Sequence, residues 1–203
     1  ELTGVSKELI MISAYFVPGQ PGLVYLTGRA DAGVSVSLLT NSLEATDVPA
    51  VHGGYAPYRK ALLEQGVKLC ELSHDPGDNY GSGLRVFYSK SFRGSDSSLH
   101  SKAMIFDRRK SFIGSFNFDP RSVLWNTEVG VLVDSPELAE HVRALALQGM
   151  APTLSYQAKL EDGKVVWVTE DNGQMHTLTK EPGSWWRRFN SWFSTSVGLE
   201  RML

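Results

Sequence analysis

Between positions 99 and 121 the chain reads LHSKAMIFDRRKSFIGSFNFDPR. Residues 99–106 alternate as a strand does, which sets His100 and Lys102 on one face and Leu99, Ser101 and Ala103 on the other. The apolar run 111–115 predicts a second strand, joined to the first through the tight connection DRRK. If the two strands are neighbours, Ser115 and Asn117 arrive beside His100 and Lys102. A lone strand histidine is more often a hydrogen-bonded core residue than a catalyst, and a lone lysine is usually solvated. Here, however, His100, Lys102, Asp107, Gly114, Ser115 and Asn117 follow the spacing H-x-K-x4-D-x6-G-S-x-N. A buried strand favours apolar residues, so an imidazole and an ammonium sharing one face call for a reason. With a hydroxyl and an amide beside them, they are the parts needed to hold a tetrahedral phosphate and stabilise its transition state.

The rest of the chain supplies a scaffold for such a strand pair. ELIMISAYF predicts a central strand stopped by VPGQPG, and residues 23–32 a helix. Residues 34–39 predict the next strand. From 47 to 65, apolar residues at helical spacing predict one helix, N-capped by Asp47 and stopped by Gly66, before a strand over 67–72. Residues 73–98 are rich in Gly, Ser and Asp and predict a long active-site loop, in which Lys90 and Arg93 carry positive charge. After the motif, TEVGVLV predicts a strand, with Ser135 as N-cap and Pro136 at the first position of a helix over 137–148. Strands alternating with helices argue for an α/β sandwich whose mixed, largely parallel sheet is covered on both faces.

Beyond Gly149 the character changes. Asp162-Gly163 and Asn172-Gly173 mark hairpin turns in a small antiparallel meander. From Ser184, the residues Trp185, Trp186, Phe189, Trp192, Phe193 and Val197 fall on one helical face. Two accounts of that amphipathic helix stand side by side: it packs back on the body, or it lies at a bilayer's headgroup boundary. The expected division is residues 1–149 as a catalytic unit and residues 150–203 as an appendage.

A composition of 42% hydrophobic and 21% charged residues is that of a globular chain and not of a disordered one. A net charge of −2 gives no general basic field for nucleic acid, so none is expected as a partner. Cys70, the single cysteine, sits in VKLCEL and is expected to be a buried, inert thiol. No apolar run reaches membrane-span length, and no Cys/His/Asp spacing suggests a metal site, so no cofactor is expected. His52, His74, His141 and His176 are read as surface or capping residues.

The motif resembles the hallmark of the phospholipase D superfamily, with its His-Lys-Asp signature and trailing Gly-Ser-x-Asn. The extension GSFNFDPRS, the early ISAYFVPG and the segment TNSLEATDVPAVHGGYAPYRKALLEQGV look more narrowly like bacterial cardiolipin synthases. The resemblance implies the phospholipase D/nuclease-type sandwich and a metal-free phosphatidyl transfer. It implies His100 as the nucleophile that forms a phosphohistidine, and Lys102 and Asn117, assisted by Ser115, as binders of the phosphoryl oxygens. It implies Glu128 as the carboxylate orienting His100, whereas Asp107, also part of the signature, is expected to hold the hairpin.

Complete members of that superfamily use two copies of the motif, and this chain has one. The resemblance therefore implies a second repeat, either in the N-terminal half of a longer chain or on a homodimer mate. It also implies phospholipid substrates and a peripheral place on the cytoplasmic face of a bacterial inner membrane. Two alternatives stay open: a homodimeric phosphodiesterase or nuclease of the same superfamily, and a catalytically silent half that binds membranes.

Overall fold

The computed structural model describes residues 2–74, 88–90 and 97–197. In chain order it contains β1 (Glu8–Ile12), α1 (Gly19–Asp31), β2 (Ser35–Asn41), α2 (Pro49–Tyr55), α3 (Arg59–Glu64), β3 (Lys68–Leu72), β4 (Tyr88–Lys90), β5 (Ser97–Leu99), β6 (Lys102–Phe106) and β7 (Lys110–Gly114). Then come α4 (Pro120–Leu124), β8 (Gly130–Asp134), α5 (Pro136–Gly149), β9 (Ser155–Glu161), β10 (Lys164–Asp171), β11 (Gln174–Leu178) and α6 (Trp185–Val197).

Nine strands form one mixed sheet in the order β11-β10-β9-β3-β2-β1-β6-β7-β8. The expectation of a largely parallel sheet is corrected here. Only β1–β2 and β2–β3 pair in parallel, and every other neighbour is antiparallel. The reason is connectivity: helical crossovers link β1, β2 and β3, whereas tight turns link β6 to β7 and join β9, β10 and β11. The meander extends the body's sheet, because β9 pairs with β3.

Period-two alternation builds both core layers. Leu9, Met11, Met104 and Phe106 face one side and pack with Leu26 of α1 and Leu62 of α3. Ile10, Ile12, Ala103 and Ile105 face the other and pack with Ala139, Val142 and Ala146 of α5. Fully burying each such Leu or Ile side chain contributes about 1.5–3 kcal/mol. Cys70 lies in this second layer, fully buried, and burial pushes its thiol up to about 12, so it stays protonated and inert at neutral pH.

Local signals set most of the boundaries. The Ser135 hydroxyl accepts from the Leu138 N–H at 3.2 Å, capping α5 ahead of Pro136. Asp162 and Gly163, and then Asn172 and Gly173, adopt the positive φ values that two-residue hairpins require. The single helix expected over 47–65 is broken into α2, a 3-10 turn (Ala56–Tyr58) and α3. Gly53-Gly54 and Pro57 weaken the helix there, and Asp47 does not cap it: Val48 is the N-cap residue and makes no side-chain cap. The continuous strand expected over 99–106 is interrupted too, since β5 ends at Leu99 and β6 begins at Lys102. Most of the loop expected over 73–98, including Arg93, lies outside the described residues; β4 pairs antiparallel with β5.

Candidate active site

Strand polarity brings five strand ends to one rim of the sheet. The C-terminal ends of β1, β2 and β7 lie there beside the N-terminal ends of β6 and β8, as the registers Ile12↔Ala103, Ile12↔Leu39, Lys102↔Gly114 and Gly114↔Gly130 require. The cross-strand pair of glycines is steric. A Cβ on Gly114 would lie 2.4 Å from the Val129 carbonyl oxygen, and one on Gly130 would lie 2.2 Å from the Phe112 ring. The motif glycine thus lets β7 and β8 approach closely just before Ser115.

His100 sits on this rim, in the break between β5 and β6, and is exposed. Lys102 opens β6, only 8% exposed, and its Nζ donates to the His100 carbonyl at 2.6 Å. Burial lowers the ammonium's pKa, against the opposing pull of the Glu128, Asp47 and Asp119 carboxyl groups. Asn117 is buried, and its Oδ1 accepts from the Tyr15 N–H at 3.2 Å, which ties the segment after β7 to the one after β1. Ser115 hydrogen-bonds across to Val129, accepting from its N–H at 3.0 Å, and donates its hydroxyl to Glu128. That bond holds the Glu128 carboxyl below its ordinary value, helped by Asn126 and Lys102.

Asp107 stands at the far end of β6, about 17 Å from Lys102 at a rise of about 3.4 Å per residue. Its carboxylate accepts from the backbone N–H groups of Ser6, Lys7 and Glu8, the last two at 2.7 and 3.0 Å. It clamps the start of β1 onto the β6–β7 turn. Those bonds outweigh its burial and lower its pKa.

Four further residues complete the rim. Asn41, buried at the end of β2, donates to the carbonyls of Ala14 and Leu99, each at 3.1 Å, and accepts from the Leu99 N–H at 2.8 Å. It fixes the residue immediately before His100. The Tyr15 hydroxyl donates to Asp47 at 2.7 Å, and burial together with that carboxylate pushes the phenol above its ordinary value. Asp119 caps α4 by accepting from the Ser122 N–H at 2.8 Å, while burial raises its carboxyl. The Asp119-Pro120 pair is an N-terminal helix signal that the sequence carries openly. Asn41 has no local signature, because its partners are 27 and 58 residues away.

Replacing Asn41 by Ala is expected to cost about 1–3 kcal/mol, since Leu99 N–H and two carbonyls lose their buried partner. Urea unfolding measures that loss. Turnover should fall by about tenfold or more in protein that remains folded, because the chain entering His100 is no longer held.

His52 is not the surface residue expected from sequence. It is 4% exposed and joins a buried cluster with Arg59, Glu71 and Glu181. The donor atoms of His52, Glu71 and Glu181 lie within 4.8 Å of one another, a spacing a metal ion could use. The Arg59 guanidinium contacts all three, so a fixed cation already stands among those donors.

Known proteins place this architecture. A family model described as a cardiolipin synthase, PLD-like domain, matches residues 1–148. Cardiolipin synthase C of Escherichia coli is 40% identical over 98% of this chain, and a minor cardiolipin synthase of Bacillus subtilis is 26% identical over 92%. The chain spans 41% and 38% of those two proteins. Nuc of Salmonella typhimurium, a phospholipase D family member, superposes with a TM-score of 0.58 at 18% identity, over 78% of this chain and 86% of Nuc. Phosphatidylserine synthase of Haemophilus influenzae superposes at 0.54, also at 18% identity, over 73% of this chain and 34% of its own. The nine-stranded sheet, the motif-bearing rim and the match over 1–148 agree, and the chain belongs to the cardiolipin synthase family of phospholipase D-like domains.

Proposed function

We propose that this chain is one motif-bearing half of a phosphatidyltransferase that makes cardiolipin-like products through a covalent phosphohistidine. The observation that carries the reading is the rim itself: an exposed His100 beside the buried Lys102, with Asn117 and Ser115 on the adjoining segment. A ring nitrogen of His100 attacks phosphorus, the P–O bond to the leaving alcohol breaks, and that oxygen takes a proton. The hydroxyl of a second lipid then attacks the phosphohistidine, the N–P bond breaks, and the hydroxyl proton goes to a base. Lys102 and Asn117 stabilise the phosphoryl oxygens in both steps, and Glu128, oriented by Ser115, holds the second nitrogen of His100. Water in place of the second lipid gives hydrolysis.

Two observations support a second motif supplied by another half or another subunit. Among the described residues one ammonium faces the carboxyl groups of Glu128, Asp47 and Asp119, so an anionic diester calls for further positive charge. In addition β8, the outermost strand on this side of the sheet, is apolar and open. Val131 is 61% exposed and Trp125 79%, on either side of Glu128 and of the Val129 that Ser115 pairs with, as a protein interface would be. The same edge would equally serve a homodimeric phosphodiesterase, which the Nuc-like fold keeps in view.

The test uses the protein as it is made in the cell, incubated with labelled phosphatidylglycerol. Cardiolipin should form, and acid-labile label should appear on the protein but not on its His100→Ala variant. Label retained by that variant would remove His100 from the nucleophile's role. Cleavage of nucleic acid with no lipid product would favour the phosphodiesterase.

A further inference from the structure

The amphipathic helix α6 is docked the opposite way round from a core helix. Its polar side meets the body. Ser191 is 5% exposed, and Arg187 Nη1 donates to the Leu43 carbonyl at 3.3 Å and to the Thr46 carbonyl at 2.5 Å. Arg188 donates to the Glu181 carbonyl at 3.1 Å, and the helix lies over α2. Its aromatic side faces solvent, with Trp185 69% and Trp192 63% exposed, and Trp186, Phe189 and Phe193 exposed between them. These rings pack against one another: Phe189 lies 5.7–6.4 Å from the rings of Trp186, Trp185, Trp192 and Phe193.

We infer that α6 is a bilayer-docking ridge, which seats this domain on a membrane rich in anionic lipid with its motif-bearing rim beside the headgroups. Three observations select a lipid surface over a protein partner. Among the described residues the exposed apolar side chains on this face are Trp and Phe, which suit the boundary between headgroups and acyl chains. The ridge stands out from the body on its polar side, and a fluid bilayer accepts a protruding ridge without a matching groove. Among its described residues the helix carries no carboxylate that would repel anionic headgroups.

The location of the ridge is fixed from below. Arg187 holds the loop that follows β2, and this loop leads to Asp47, one of the charged groups facing Lys102. At the end of β2, two residues before Leu43, Asn41 pins the chain before His100. Ridge and catalytic rim thus share the C-terminal end of β1 and β2. The inference stands independently of the phosphoryl chemistry, because it concerns only where the domain sits.

The experiment measures flotation on vesicles of mixed phosphatidylglycerol and phosphatidylethanolamine, using the protein as made in the cell and carrying His100→Ala, so that turnover plays no part. Trp185→Ser with Trp192→Ser should lower vesicle affinity by about tenfold or more, and added salt should weaken the parent's binding. Both rings are solvent-exposed, so the variant should keep its circular dichroism and its melting temperature. In the His100-intact protein the same pair should lower transfer from vesicles, yet leave cleavage of a short-chain, monomeric phosphodiester unchanged. Unchanged flotation would overturn the inference, as would a concentration-dependent self-association abolished by the pair while vesicle binding persists. Loss of activity on both substrates would instead place the rings in the site and also overturn it.

Discussion

Lys102→Met should abolish measurable transfer, with kcat falling about 10²–10³-fold or more, while the melting temperature stays level or rises. Activity falls because this ammonium is a fixed positive charge at the rim, anchored 2.6 Å from the His100 carbonyl and placed to meet developing negative charge on phosphoryl oxygens. Stability does not fall, because burial disfavours the charged form there: the folded chain lowers the ammonium's pKa despite three neighbouring carboxyl groups. The sign follows directly. A lysine whose folded pKa is lowered is penalised while protonated, and the penalty fades as pH rises from that lowered pKa to the ordinary value of 10.5. An unionisable side chain of similar length removes the penalty at every pH. Lys102→Arg should not restore transfer, because a planar guanidinium does not fit the buried place of a compact ammonium. A Met variant that loses both turnover and several degrees of melting temperature would make Lys102 a structural residue.

What the sequence makes legible is what neighbours determine. Ser135-Pro136, Asp162-Gly163 and Asn172-Gly173 each work within a few residues, and the structure keeps all three. The alternation that separates Ala103 and Ile105 from Met104 and Phe106 is equally local. The helix expected over 47–65 fails because apolar periodicity runs on through Gly53-Gly54 and Pro57, where the backbone does not. The sheet is less parallel than expected because the sequence announces the hairpins of β9, β10 and β11 but not their docking on β3. At the rim, His100, Lys102, Ser115 and Asn117 share a readable spacing. Asp107 is readable as a residue but not as a clamp on Ser6, Lys7 and Glu8, which lie about a hundred residues away. Asn41 and His52 are invisible for the same reason: their meaning comes from Leu99 and Glu181.

Arg59→Met should cost about 3–5 kcal/mol, the largest loss expected from any single change away from the rim. The guanidinium is buried between the rings of Tyr55 and Trp167, at 4.8 and 5.4 Å, and lies 2.8 Å from Glu71, whose carboxylate also accepts from Trp167 Nε1 at 3.0 Å. It contacts Glu181 as well, which His52 holds at 2.6 Å. Removing the cation strands the fully buried Glu71 carboxylate and leaves the mostly buried Glu181 without its strongest partner. Burial alone would raise the Glu181 carboxyl, but Arg59 and His52 bring it down to about 2. In the parent, Glu181 therefore contributes stability that is complete above the ordinary value of 4.5 and is lost as pH falls towards about 2. In Arg59→Met the sign reverses, because burial now dominates and protonation relieves it, so the deficit relative to the parent should shrink as pH drops from neutral to 4. Urea midpoints across that range measure both effects, and Glu71→Gln with Glu181→Gln should recover most of the loss at neutral pH. The cluster joins β3, α2, α3 and β10 to the residues just before α6. Its loosening should therefore weaken vesicle binding too, since the aromatic ridge then loses the footing that holds it beside the rim.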